Sequence, residues 1–441
     1  KEAFLFEDCI ATSSWTLPTH ASIFTGLPPA IHGTNGIGKW RIPTAFDTLA
    51  EVLHDENYTT VAFTDGGFVA GAKGFSQGFD LYSDGVSFQR PRPVGTAKMV
   101  VEQTINWLDT HQEAPFFLFM HTFEIHELYQ PPSPFLGKFG PPEPAVISLT
   151  KRPNIKAESP SKENVHLTIA RYDEGIAYTD YELKKLFDYL KENGLTENTL
   201  IVLFSDHGDE FYDHGGFSHS NSLYSEVLHV PLIIRLPGTT PLSGRVSRAV
   251  SQLDLFATVM EVLKIDYTPP STSYSLLPLI NQGIHEEEFK RTYATSQLLT
   301  RISVNQLPVN QSGLIGRMLL SIQDDRYKYI LTTNADNSDF RLQEAWDNYG
   351  LARDTSFERQ LSEADPSKQG ITQELYFLTT DMMEQNNRAD ESPEIIEHMR
   401  QLLRESLDDA KKTASINATE KAEEAPLTDD ERKTLEALGY L

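Results

Sequence analysis

Four short apolar runs, Thr59–Thr64, Pro115–His121, Leu200–Ser205 and Val230–Arg235, recur along the chain with helical patterns between them. Each has the length of a strand and almost no polar alternation, the mark of a parallel strand covered on both faces. Ala45–Glu56 reads as a helix before the first run and Thr96–Thr110 before the second. Arg171–Glu192, with an Asn193–Gly194 stop, precedes the third, and Leu253–Lys264 follows the fourth. Strand and helix in alternation predict a doubly wound α/β fold with a mixed or parallel sheet. Phe4–Ile10 is a further strand, so the sequence is expected to open inside a domain rather than at its edge.

Two long stretches, Pro131–Asn164 and Asp266–Gly313, interrupt this rhythm and are expected to border a cleft. From Arg317 the pattern changes. Met318–Ile322 and Tyr327–Leu331 flank a Gln-Asp-Asp-Arg turn as an antiparallel hairpin, Glu374–Leu378 adds an edge strand, and Glu394–Asp408 a covering helix. The expected organisation is therefore an α/β domain over 1–315 and a smaller α+β subdomain over 316–410. A linker and a terminal amphipathic helix follow over 411–441.

The formal net charge of −25 excludes nucleic acid and anionic membrane surfaces as natural partners. A small anionic ester can still be bound if a local positive centre is present, and a divalent metal ion is the simplest one. No run approaches the ~18 apolar residues that a membrane span needs. Cys9 is the one cysteine, so no disulfide forms within the chain.

Two segments carry the chemistry. In Ser13–Gly26 (Ser-Ser-Trp-Thr-Leu-Pro-Thr-His-Ala-Ser-Ile-Phe-Thr-Gly), Pro18 suits a helix's first turn and Gly26 its end. Thr16 then falls just before a helix N-terminus, where free N–H groups and the dipole favour negative charge. An ordinary N-cap threonine is the competing reading of that residue. His20 would lie one turn on and face the same site. In Leu200–Glu210, Asp206 and His207 stand at the carboxyl end of a buried strand, where open α/β sheets bind ligands. A carboxylate and an imidazole together suit a divalent metal, and calcium, magnesium, manganese and zinc all remain open. His121 and His126 follow the Phe116–Met120 run, and His219 sits in Gly216–Asn221. His32, His54, His166 and His229 have no such context.

Taken together, these segments resemble the sulfatase-like family of the alkaline phosphatase superfamily. The likeness runs from about Phe4 to Leu441. It includes Trp15–Gly26, Pro115–Pro132, Ser205–Gly208, Leu223–Pro237, Tyr327–Ile330, Glu374–Tyr376 and the closing Leu438-Gly439-Tyr440-Leu441. The resemblance implies an alkaline-phosphatase-like fold and a metal-dependent hydrolase of sulfuric or phosphoric esters in a periplasmic or secreted location. It puts Thr16 at the nucleophile, which also ligates the metal, and Asp206 and His207 among the metal ligands. His126 and His219 fall where the substrate or leaving group is contacted.

The departures are as informative. The family keeps Cys or Ser, oxidised to formylglycine and followed by Pro and Arg, where this chain has Thr16 and, further on, His20. A sulfate-gripping Lys-x-His pair would fall at Asp65 and Gly67 and is missing. The family's first metal-binding acids would lie on a strand upstream of Lys1. A threonine nucleophile forms a covalent ester that water must cleave, the habit of phosphodiesterase-like and phosphoethanolamine-transferase-like relatives. Three readings follow: a Thr16-dependent ester hydrolase, a phospho-group transferase, and a catalytically inactive sulfatase-like binding module.

Overall fold

A computed structural model describes residues 2–35, 40–85, 94–111, 115–127, 129–142, 160–238, 242–280, 286–301, 316–333 and 371–417. Its mixed α/β core has two sheets. In the first, β1 (Phe4–Ile10) lies between β10 (Val250–Ser251) and β8 (His229–Arg235), and β5 (Ile201–Phe204) follows β8. β9 (Gly244–Val246) also runs beside β1. In the second, β2 (Thr59–Thr64) stands between β3 (Leu81–Ser83) and β4 (Phe116–His121), all parallel.

The expectation of four parallel, doubly buried strands is corrected in two respects. β8 pairs antiparallel with both β1 and β5. The chain returns from β5 to β8 through a hairpin, β6 (Glu210–Phe211) and β7 (Phe217–Ser218). The one-turn helix α6 (Ser225–Leu228) completes the return, so no long helix crosses a sheet face between the two strands. Secondly, every residue of β5 and all but Phe119 of β4 are only half-buried. Among the described residues no ladder joins β4 to β5. The two strands instead share an apolar cluster in which Phe116, Leu118, Met120 and Ile201 lean on Leu186 and Leu190.

Helices cover these sheets where apolar stripes allow. α1 (Thr16–Thr25) is buried at every residue, α2 is the single turn Pro29–His32, and α3 (Leu49–Asp55) starts on a Thr48–Glu51 capping box. α4 (Thr96–Leu108) and α5 (Lys162–Glu192) pack together, and α5 begins nine residues before the expected Arg171, at a Ser161 cap. α7 (Asp254–Leu263) and the turn α8 (Leu277–Ile280) complete this part.

Arg291 forks onto the fully buried Asp254, with Nε and Nη2 at 2.7 and 2.6 Å from the two carboxylate oxygens. Removing the guanidinium leaves a buried carboxylate without its cation. Arg291→Met is therefore expected to cost about 3–5 kcal/mol of stability in denaturant unfolding. A loss below about 1 kcal/mol would mean that water reaches Asp254.

The C-terminal unit is a four-stranded antiparallel sheet: β11 (Ala294–Arg301), β12 (Gly316–Gln323), β13 (Tyr327–Thr333) and β14 (Ile371–Phe377). Met318, Leu320 and Ile322 of β12 alternate onto one face with Tyr329 and Leu331 of β13. Ile396, Met399, Leu403 and Leu407, at helical spacing on α9 (Pro393–Asn417), cover that face. The hairpin, the added strand and the covering helix fall where the sequence places them. The sheet takes its first strand, however, from upstream of residue 316, out of a stretch read as irregular. Its polar alternation (Ala-Thr-Ser-Gln-Leu-Leu-Thr-Arg) hides it from an apolar-run reading. Part of the expected linker, up to Asn417, is helical, and the expected terminal helix over 428–441 lies outside the described residues.

Candidate active site

The carboxyl ends of β4 and β5 meet the start of α1, and the candidate residues gather there. Trp15 is fully extended at φ −164° and caps nothing with its side chain, so the first turn of α1 keeps its N–H groups unclaimed by a cap. Pro18, in that first turn, gives up no intrahelical bond. Gly26 ends the helix at φ 66°. Thr16 is thus the first residue of the helix rather than the one before it. Its Oγ1 lies 3.3 Å from His207 Nε2.

The β5 end is held in shape by its own short bonds. Ser205 Oγ donates to the His207 carbonyl at 2.7 Å, and His207 Nδ1 lies 2.9 Å from the Gly208 carbonyl. That second bond places the proton of a neutral ring on Nδ1 and leaves Nε2 basic toward Thr16. Gly208 is required, since a Cβ there would run into the Glu226 carbonyl oxygen. The buried Gln252 accepts from Thr12 N at 3.2 Å and donates to the Ser205 and Asp206 carbonyls at 2.7 and 3.1 Å. One amide therefore ties the loop before Thr16 to the loop holding Asp206.

Asp206 Oδ2 is buried without a hydrogen bond, 3.6 Å from His20 Nδ1 and 3.4 Å from His207 Nε2. Burial alone would lift its carboxyl, but His207, His20, His121 and His219 around it hold it well below the usual carboxylate range. An ionised, unbonded buried oxygen beside an imidazole and a hydroxyl is a donor set that suits a divalent cation. Asp206, His207 and Thr16 fit one. His20 is 2% exposed, bonds the Thr16 carbonyl at 3.0 Å and supports Asp206 from beneath the site. Burial pulls its pKa down, against the pull of Asp206. The ring of His121 sits 5.1 Å from that of His20.

His219 and His126 form the other wall, their ring centres 4.8 Å apart, with His207 and His219 at 4.3 Å. Asp209, at 2.7 Å from His219 Nδ1, fixes the ring so that Nε2 is its basic nitrogen, and Tyr129 donates to the other oxygen of Asp209 at 2.7 Å. Burial and the neighbouring His207 lower the His219 pKa more than Asp209 raises it. His207, Asp209 and His219 together also bring ligand atoms within 4.8 Å of one another. Asp209, Tyr129 and Gln252 were not singled out from the sequence. The carboxylate two residues after His207 was the one available hint. Asp65, where a sulfate-gripping lysine would stand, instead accepts from Thr96, Thr122 and the Phe123 amide. His32, likewise buried, bonds Ser22 and stands apart from this cluster.

The site is thus a hydroxyl at a helix start facing an Asp–His pair at a strand end. Residues 1–265 match the sulfatase family model, and the chain belongs to the sulfatase family. The arylsulfatase K of Xenopus laevis is 23% identical over 469 aligned positions, covering 96% of this chain and 79% of that protein. The arylsulfatase K of Gallus gallus is 29% identical over 170 residues, 38% of this chain and 30% of that protein, so the chain matches less than a third of this relative's length. Two solved structures share the fold. BT4656, in complex with its substrate D-glucosamine-2-N,6-O-disulfate, has a TM-score of 0.67 and 18% identity over 95% of this chain and 93% of its own. The phosphonate monoester hydrolase of Agrobacterium radiobacter has a TM-score of 0.66 and 19% identity over 94% and 89%.

Proposed function

We propose that this chain is a metal-dependent hydrolase of small anionic esters in which Thr16 is the nucleophile. The observation that carries the reading is the convergence of Thr16 Oγ1, the unbonded Asp206 Oδ2 and His207 Nε2 at the start of α1. Asp206, His207 and Thr16 would hold the divalent cation, which supplies positive charge for the ester's non-bridging oxygens and lowers the pKa of the Thr16 hydroxyl. Thr16 gives up its hydroxyl proton to solvent and attacks phosphorus or sulfur as the alkoxide; the bond to the leaving oxygen breaks, and His126 or His219, entering the step as the imidazolium, protonates that oxygen. Water then cleaves the threonine ester, its proton passing to the same histidine wall. His20 orients Asp206, and Asp209 with Tyr129 orients His219.

A threonine cannot become the aldehyde that releases sulfate from a classical sulfatase, so phosphate and phosphonate esters suit this site best. The phosphonate monoester hydrolase named above is consistent with that class. Sulfate esters are the second reading, favoured by the family and by the disulfated sugar bound to BT4656. The assembled Thr16–Asp206–His207 set argues against an inactive binding module. A phospho-group transferase differs in its acceptor, water being replaced by an alcohol. The periplasmic or secreted location expected from the resemblance belongs to this proposal. Among the described residues no helix is long and apolar enough to cross a membrane.

The discriminating experiment sets an aryl sulfate, a phosphate monoester, a phosphate diester and a phosphonate monoester side by side, before and after chelation and metal restoration. Turnover of a phosphorus ester that chelation stops and metal restores is expected. Turnover of the sulfate ester alone would reverse the substrate preference, and turnover indifferent to chelation would remove the metal. Asp209→Asn keeps the shape but loses the charge that orients His219. It is expected to lower kcat about 10- to 100-fold with metal still bound. An unchanged kcat would take the Asp209–His219 pair out of the reaction.

A further inference from the structure

The hairpin of β6 and β7 carries a site residue at each end, Asp209 just before β6 and His219 just after β7. Two-residue strands cannot hold such a hairpin by themselves. Its turn is braced internally by Glu210, whose Oε1 accepts from the amides of His214 and Gly216 at 3.1 and 2.6 Å. Tyr212, Ser218 and Ser220 all have left-handed φ, at 69°, 67° and 62°, so the backbone is held where non-glycine residues seldom sit.

The outer brace comes from His214, at the tip. Nδ1 faces Glu226 Oε1 at 2.6 Å and Nε2 faces the Glu384 carbonyl at 2.9 Å, while the ring stacks on Tyr224 at 3.7 Å. These two partners are oxygen acceptors, and only an imidazolium donates from both nitrogens. The Gln385 side-chain nitrogen, 3.3 Å from Nε2, is a third and more distant neighbour that the shorter bond to the Glu384 carbonyl outcompetes. Glu384 belongs to the C-terminal unit and is itself pinned. It sits at φ 53° and is fully buried, accepting from Lys328 Nζ at 2.8 Å and from the amide and hydroxyl of Ser225. Tyr224 is tied to the same unit by its hydroxyl bond to Glu374 at 2.7 Å.

We propose that His214 is a positioning residue: as an imidazolium it latches the hairpin to the C-terminal sheet and so keeps Asp209 and His219 in place. This rests on the reading of His219 as a site residue. The charged or titratable groups facing the ring are Glu226, Glu384, Glu210 and Tyr224. Burial lowers the His214 pKa, but the bonds to Glu226 and the Glu384 carbonyl outweigh it and raise the net value. A raised histidine contributes stability that is complete below its unfolded value of about 6.5. That contribution is lost as pH climbs through the folded value, so the latch opens on the alkaline side.

The test is amide exchange by mass spectrometry on the full chain with its metal, for the wild type, His214→Gln and Glu226→Gln. In His214→Gln, residues 209–219 are expected to exchange at least about tenfold faster, with β12 and β13 unchanged. Where the metal-bound enzyme turns over an ester, kcat falls by about fivefold or more and KM stays within about twofold. In the wild type, protection of 209–219 declines between about pH 6 and pH 9, and His214→Gln is flat over that range. Glu226→Gln keeps an acceptor oxygen but not the charge, and loosens the hairpin at a lower pH than the wild type. Unchanged hairpin exchange in His214→Gln would overturn the proposal. Should that variant not fold, a Glu226→Gln profile superimposable on the wild type would overturn it instead. Exchange is read without turnover, so a wild type inactive on every ester would sink the hydrolase reading and leave the latch to stand or fall on the exchange rates alone.

Discussion

Thr16→Ala is expected to abolish turnover, with kcat down by at least about a thousandfold, because the proposed covalent ester forms on the Thr16 hydroxyl. The fold should survive. Thr16 is buried in α1, but its side chain makes one contact of consequence, the 3.3 Å approach to His207 Nε2. Metal binding should weaken without disappearing, since Asp206 and His207 remain. A merely structural N-cap would behave differently, costing about 1 kcal/mol of stability and little activity. The helix start provides no such cap: Trp15, not Thr16, occupies the cap position and its side chain bonds no backbone amide. Thr16→Ser separates the chemistry from the methyl group and should retain a measurable fraction of turnover.

The second large effect is at Asp206. Asp206→Ala should weaken divalent-cation binding by at least about a hundredfold and lower kcat about as far as Thr16→Ala does. The carboxylate is the anionic member of the proposed donor set, and its surroundings keep it ionised. His20 shows why the effect is sharp. Its Nδ1 stands 3.6 Å from Asp206 Oδ2, and removing that oxygen leaves a buried imidazole facing a void. Asp206→Asn, which keeps the volume, should lose the metal just as far but cost less stability than Asp206→Ala. Calorimetric metal titration against denaturant unfolding separates the two. Equal metal affinity in Asp206→Asn and wild type would place the cation elsewhere, the His207–Asp209–His219 set being the next donor group.

Much of this was legible before any coordinates. Apolar runs marked β2, β4, β5 and β8, although β4 and β5 are less buried than the runs suggest. The Pro18 and Gly26 punctuation located α1 within a residue. Thr16, Asp206, His207, His126 and His219, scattered over two hundred positions, do converge. Strand direction was not legible: β8 reads as apolar in either orientation, and the hairpin of β6 and β7 that turns the chain back is too short to show as an apolar pattern. β11 was hidden because its polar residues are used rather than solvated. The Gln297 side chain accepts at Oε1 from the Ala30 backbone N–H while its backbone N–H donates to the Thr12 carbonyl, and Ser296 Oγ donates to the Ala11 carbonyl. Gln252, Tyr129 and Asp209 were missed for the same reason. Each acts through a partner far away in sequence, and the residue type alone is compatible with many other tasks. His20 does stand beside Asp206, and its depth there is a matter of packing against Phe75, Phe119 and Phe204.

Thr16 as nucleophile is tested most directly by catching the enzyme in the act. The metal-bound chain is mixed with an ester it turns over, quenched in acid within one turnover, digested and weighed. A His219→Ala variant run alongside on a nitrophenyl ester, whose leaving group needs no proton, should slow the second step and let more of the intermediate accumulate. The expected result is the peptide containing Thr16 heavier by one phosphoryl or sulfuryl group, with fragmentation placing the group on Thr16 itself. Full turnover with that peptide never modified in either protein, and undiminished turnover in Thr16→Ala, would contradict it.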